Sequence, residues 1–215
     1  MCIREMFGAI AEKTTVIVLS AVVLAVFSAQ PSSAGNASGR SENGFPSFGT
    51  GEIDVRVYAN YFCGPCRSLE PLAEPLLQEL VENGSIRLTF IDVPLPSAIP
   101  YIEYYLYAMN EKSSIEKAFH VRGILFQVAA KRGSGEDVRE ALEENNIGYA
   151  PYDLSGAFKA ANDLLRSDQV RSTPSAVICR GGDAETYRGG AKILAALEDL
   201  NQENRKQEES KKADR

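Results

Sequence analysis

Hydrophobic and polar positions alternate from residue 53 onward, with Ile53, Val55 and Val57 interleaved with Asp54 and Arg56 before the run closes on Tyr58 and Ala59. A period of two puts one set of side chains on one face, so this segment is expected to be a strand entering a buried sheet. Beyond it Leu69, Leu72, Ala73, Leu76, Leu77 and Leu80 recur at spacings of three and four as far as Asn83-Gly84. That spacing predicts a helix with one apolar face. Alternation returns at Ile86, Leu88 and Phe90 against Arg87 and Thr89, and ends in the proline-rich Val93-Pro94-Leu95-Pro96. Strand, helix and strand in this order predict a βαβ unit.

Between about residues 97 and 166 the period changes. Segments 101–109, 115–130, 136–145 and 154–165 favour helix and are separated by Gly, Ser, Asn and Pro breaks, which together make a sizeable helical insertion. Sheet character returns at 175–179, and Gly181-Gly182-Asp183 is expected to turn a hairpin into 186–188. An amphipathic helix over 191–200 follows. Two flanks lack such patterning. Residues 35–50 are rich in Gly, Ser, Asn and Pro without a period, which reads as a flexible leader. Residues 201–215 are almost wholly polar, either a solvated helix extension or a frayed tail.

With 215 residues, 44% of them apolar, the chain can bury an ordinary core and is expected to be globular. A formal charge of −6 and the absence of a basic patch argue against a nucleic-acid partner. At the N-terminus Arg4 and Lys13 precede an apolar run over 16–29, and Ser32-Ser33-Ala34 supplies small residues that a signal peptidase accepts. Residues 1–34 therefore read as a cleaved secretory signal, which makes the protein periplasmic or otherwise exported. The alternative is an uncut membrane anchor, for which the run is short against the roughly 20 apolar residues needed to span hydrocarbon. Cys2 lies before the run, cannot be the lipid-bearing cysteine of a mature lipoprotein, and is expected to leave with the signal.

Chemistry centres on Cys63 and Cys66, three apart where the predicted helix begins. A thiolate rather than a thiol attacks a disulfide, so exchange needs one sulfur favoured as an anion and a second able to reach it. At a helix start, unpaired N–H groups and the positive end of the helix dipole favour a negative sulfur, which assigns Cys63 as nucleophile. Cys66, one turn in on the same face, is the resolving partner. Pro65 is tolerated in a first turn, and Gly64 lets a bulky substrate approach. Two other uses of the pair stay open: half of a metal site completed by His120 and Cys179, and a permanent structural disulfide, which a three-residue loop makes inefficient. Cys179 reads as a small buried hydrophobe in an apolar strand, and His120 as a side chain with no catalytic partner. Tyr101, Tyr104, Tyr105 and Tyr107 could line a groove, but their helical spacing favours packing. No metal or organic cofactor is required.

The segment Phe62-Cys63-Gly64-Pro65-Cys66-Arg67 resembles the thioredoxin superfamily, and Pro71 matches the proline in that family's active-site helix. Thr173-Pro174, just before the strand at 175, resembles the family's cis-proline loop opposite the cysteines. A helical insertion between the two halves is the layout of the DsbA-like branch. The resemblance implies an α/β thioredoxin fold with a βαβ half at 51–96, the insertion at 97–166 and a ββα half at 167–200. It implies a protein thiol–disulfide oxidoreductase in which Cys63 and Cys66 are catalytic, with Gly64 and Pro65 as the active-site dipeptide. Phe62, Thr173 and Pro174 would meet substrate, by pairing an extended stretch of it with the loop backbone. Implied partners are cysteine-containing protein substrates and a membrane redox partner that recycles the pair. The rivals are a non-catalytic thioredoxin-like scaffold and a metal-handling protein.

Two features depart from the branch. Gly64-Pro65 is the thioredoxin dipeptide, whereas DsbA-type oxidases carry Pro-His, and the potentials of those two types differ by about 150 mV, roughly 7 kcal/mol for a two-electron couple. Val57, six residues before Cys63, stands where the family often has a buried acid that assists proton transfer, so water or another group must serve.

Overall fold

The computed structural model describes residues 39–40, 44–111 and 113–213. The expected signal segment, with Cys2, lies outside them. Among the described residues six strands form one sheet: β1 (Gly39–Arg40), β2 (Pro46–Phe48), β3 (Ile53–Ala59), β4 (Ile86–Asp92), β5 (Ser175–Arg180) and β6 (Asp183–Arg188), in the order β1-β2-β4-β3-β5-β6. Six α-helices of the described residues accompany it: α1 (Gly64–Glu82), α2 (Ile99–Glu111), α3 (Ile115–Ala130), α4 (Gly135–Glu144), α5 (Ser155–Ser167) and α6 (Gly190–Ala213).

Strands β3 and β4 run parallel, Ile53 opposite Ile86 through Ala59 opposite Asp92, and α1 makes the crossover between them. This is the βαβ unit that the alternating pattern predicts. Strand β5 joins β3 antiparallel, Val57 opposite Ala176, and forms a hairpin with β6. The hairpin turn is tighter than expected: Arg180 pairs with Asp183, so only Gly181 and Gly182 turn, at φ +61° and +102°. Two successive positive φ values match the twist of the flanking strands, and glycine reaches them without a Cβ penalty. β6 therefore starts at Asp183 rather than Thr186.

Helix α1 packs against α6 and α3, and α3 against α2 and α4. Pro71 and Pro75 lie inside α1. Each proline removes a helical hydrogen bond and costs about 3 kcal/mol in a helix interior. Leu69, Ala73, Leu77, Leu80 and Val81 are all buried on one face, and full burial of each larger apolar side chain is worth about 1.5–3 kcal/mol, so packing outweighs the two breaks.

The segment expected to be a flexible leader is in part a strand. Pro46–Phe48 pairs antiparallel with β4, Phe45 and Phe48 are both 2% exposed, and the Phe48 ring lies 6.2 Å from that of Phe90. Gly49 leaves the strand at φ +84°, where an added Cβ would lie 2.4 Å from the carbonyl oxygen of Ile86. Three residues are too few to show a period of two, so the strand is invisible to pattern and is held by its aromatic contacts. At the other end α6 continues to Ala213 as a helix extension, tied down by Arg205 to Glu79 at 2.8 Å and Arg180 to Glu203 at 2.7 Å. Among the described residues no helix is long and apolar enough to cross a membrane.

Truncating Phe48 tests whether β2 belongs to the cooperative unit. Phe48→Ala is expected to lower the unfolding free energy by about 3–5 kcal/mol in urea titrations. A loss below about 1 kcal/mol would make the strand an ornament on an independently stable domain.

Candidate functional site

Strand β3 ends at Ala59, and the next four residues make a turn that delivers a sulfur to the start of α1. Asn60 organises this turn: its Oδ1 accepts from the Phe62 N–H at 2.9 Å, and its carbonyl accepts from the Cys63 N–H at 3.0 Å. Cys63 is the N-cap of α1, with extended φ −85° and ψ 109°, and its Sγ accepts from the N–H of Cys66 at 3.3 Å. Helices leave their first N–H groups without partners, and here a sulfur takes the place usually given to a Ser or Asp oxygen. Pro65 falls in the first turn, where its missing N–H costs nothing. A Cβ on Gly64 would meet no atom within 4 Å, so the approach over the helix start is open.

The two sulfurs differ in surroundings. Cys63 is partly exposed, whereas Cys66 is 1% exposed, and these are the free thiols among the described residues. Burial pushes the Cys66 thiol up to about 12, reinforced by its hydrogen bond with Cys63 and opposed by the Thr173 side chain and the Asn60 backbone. It therefore stays protonated at neutral pH. The Cys63 thiol donates to the Thr173 carbonyl at 3.4 Å, which brings together residues 110 apart in the chain. The Thr173–Pro174 peptide bond is cis, as the resemblance implied.

An open groove of about 510 Å³ runs beside Cys63, lined by Phe62, Val93, Leu95, Leu165, Val170 and Thr173 among others. Phe62 and Leu95 are 39% and 50% exposed, and they are two of the three large apolar side chains exposed among the described residues. The Phe62 ring is seated edge-on against Tyr101 of α2, centroids 5.2 Å apart. The groove is thus apolar and adjoins a sulfur, an arrangement suited to an extended segment presenting a cysteine or a disulfide.

Several expected features lie elsewhere. His120 faces a second groove with Glu74 and Glu116, away from Cys63, and no group of three or more metal-ligating side chains is gathered among the described residues. Cys179 is buried in β5 with the Arg56 guanidinium 3.3 Å from its sulfur. Tyr101 and Tyr105 are buried, while Tyr104 and Tyr107 are half-buried and stack edge-on with Tyr149 and Tyr152 of the α4–α5 connection. Val57 is buried, and its apolar side chain stands where the family often has an acid.

Pattern reading missed two buried charge clusters. Asp168 caps α5 and leads into the loop that carries Thr173. Its carboxylate accepts from Arg56 at 2.7 and 3.0 Å and from the Tyr58 hydroxyl. The second cluster has Arg122 at its centre, hydrogen-bonded to Glu70 and Asp92. One signal was available: Arg122 interrupts an otherwise apolar stretch of α3, and a helix apolar on all sides is a buried one.

The asymmetry between the sulfurs has a direct readout. In the reduced protein at pH 8, iodoacetamide is expected to label Cys63 and leave Cys66 unlabelled until the pH nears about 11–12, as read by mass spectrometry. The folded state holds the Cys66 proton more tightly than the unfolded chain does. Its contribution to stability is therefore present below pH 9 and lost as pH rises towards 12.

A family profile described as Thioredoxin matches residues 51–198. Solved structures share the fold at low identity. A periplasmic thioredoxin-like protein from Salmonella enterica serovar Typhimurium superposes with a TM-score of 0.58 at 19% identity, covering 76% of this chain and 91% of its own. BdbD from Bacillus subtilis gives 0.51 at 14% identity, covering 77% and 97%, and Chlamydia trachomatis DsbA gives 0.50 at 16%, covering 74% and 92%. No curated protein matches in sequence. The profile match over most of the described chain, with the strand order and the cysteine pair at the start of α1, means that the chain belongs to the thioredoxin family.

Proposed function

We propose that the protein is an exported thiol–disulfide oxidoreductase that exchanges disulfides with protein substrates through a mixed disulfide at Cys63, resolved by Cys66. The observation that carries this reading is the contrast between the sulfurs: Cys63 caps the helix at the mouth of an apolar groove, and Cys66 is sealed behind it.

In the oxidised protein, a substrate thiolate attacks the Cys63 sulfur and the Cys63–Cys66 bond breaks. A substrate–Cys63 disulfide forms, and Cys66 leaves with the electron pair and takes up a proton. A second substrate thiolate then attacks the sulfur bonded to Cys63, which departs as a thiolate. Two electrons pass from substrate to protein, and the substrate gains a disulfide. The reverse sequence reduces a substrate disulfide, with Cys66 losing its proton before it attacks Cys63. In both directions the negative charge that develops at the Cys63 sulfur meets the N–H of Cys66 and the positive end of the helix.

Phe62, Thr173 and Pro174 form the substrate side of this reading. The groove offers apolar surface for side chains, and the Thr173 backbone offers a strand-like edge that tolerates many sequences. The apolar run at 16–29 supports export, as does the periplasmic origin given for the Salmonella relative. An exported pair needs recharging, for which a membrane redox partner is the fitting source.

Cys63→Ser is expected to reduce catalysed insulin reduction and oxidative refolding of a reduced substrate to background. Cys66→Ser should accumulate a mixed disulfide visible by non-reducing electrophoresis. Activity unchanged by Cys63→Ser would favour a binding scaffold instead.

A further inference from the structure

Arg122 belongs to the helical insertion, yet its guanidinium lies against the active-site segment. It is fully buried, and every arm of it is used. Nε and Nη2 donate to Glu70, the latter at 3.3 Å, and Nη1 donates to both oxygens of Asp92 at 3.2 and 3.1 Å. Its faces rest on aromatic rings, Phe90 at 4.3 Å and Tyr61, Tyr105 and Phe126 at 5.6–5.8 Å. Asp92 also accepts from the Tyr61 hydroxyl at 3.0 Å.

The chain positions of these partners give the cluster its meaning. Tyr61 is two residues before Cys63, and Glu70 is four after Cys66, one helical turn on. One guanidinium therefore holds both ends of the segment that contains the cysteines, directly at Glu70 and through Asp92 at Tyr61. Stability is a poor reason for such a cluster, because desolvation of buried ions often cancels their attraction and apolar replacements can be neutral or better. Burial raises the Glu70 carboxyl in spite of its cationic neighbour, so Arg122 offsets only part of the cost of burying that charge and its loss would leave the carboxylate further exposed to that cost.

Resting on the function proposed above, we infer that Arg122 is a positioning residue for disulfide exchange. It fixes the turn from Tyr61 to Cys66 from the insertion side, and it keeps the Glu70 and Asp92 carboxylates from acting against the anion that forms at Cys63. Loosening the guanidinium leaves two carboxylates less compensated in a low-dielectric interior. Negative charge that develops at the Cys63 sulfur when the disulfide opens is then opposed, which displaces the equilibrium towards the disulfide.

Equilibration of the full chain with glutathione buffers, with the ratio of Cys63–Cys66 disulfide to dithiol read by mass after acid quench and alkylation, tests this. Arg122→Lys, which keeps the charge and loses the planar fork, is expected to shift the ratio towards disulfide by three- to tenfold, tenfold being about 30 mV for a two-electron couple. Tyr61→Phe, which cuts only the hydroxyl link to Asp92, should shift it the same way by a smaller factor of at least two. Near-UV circular dichroism identifies folded variants, and Tyr61→Phe alone decides if Arg122→Lys does not fold. A ratio within twofold of wild type in the folded variants would reduce Arg122 to packing. A wild-type pair that never equilibrates with glutathione would instead overturn the proposed function itself.

Discussion

The N–H of Cys66, one of the groups a helix leaves unpaired at its start, points at the sulfur of Cys63 from 3.3 Å. Much of the site's arrangement bears on keeping that sulfur at the helix mouth with its neighbour sealed one turn behind. The direct gain is modest: a helix dipole stabilises a nearby surface anion by about 0.3–1 kcal/mol, and a charge-assisted hydrogen bond adds to it. Geometry of this kind is effective only if it persists. The helix that supplies it contains two prolines and is held by burial of one face rather than by propensity.

Two arginines, Arg122 fully buried and Arg56 partly so, tie down the two loops that meet at the sulfur. Arg56, on the strand entering the site, clamps Asp168 at the root of the loop bearing Thr173. Arg122 clamps Glu70 and Asp92 on either side of the cysteine segment. Each cluster joins elements remote in sequence. The Thr173 carbonyl, in hydrogen-bond contact with the Cys63 thiol, lies where the two halves of the fold are brought to the same point.

The insertion is accordingly part of the site as well as an addition to the sheet. Helix α2 gives Tyr101, on which Phe62 rests, and α5 gives Leu165 to the groove wall. Helix α3 gives Arg122. A chain lacking residues 97–166 would keep the cysteine motif and lose the surfaces that orient it.

By itself the sequence determined what depends on residues three or four apart: the period of β3 and β4, the apolar face of α1, the four helices of the insertion, the Gly181-Gly182 turn, and Cys63 and Cys66 at a helix start. Such features follow from local backbone geometry, and the pattern of side chains records them. Thr173 and Pro174 were found through a family likeness, since nothing local marks a loop that packs on a sulfur 110 residues away. Tertiary structure alone decided that Pro46–Phe48 is a strand, that Arg122 and Asp168 are buried with partners, and that Cys66 is sealed. The reason is common to all three: burial and ion pairing are fixed by which distant surfaces close over a residue, and a one-dimensional pattern carries little record of that closure.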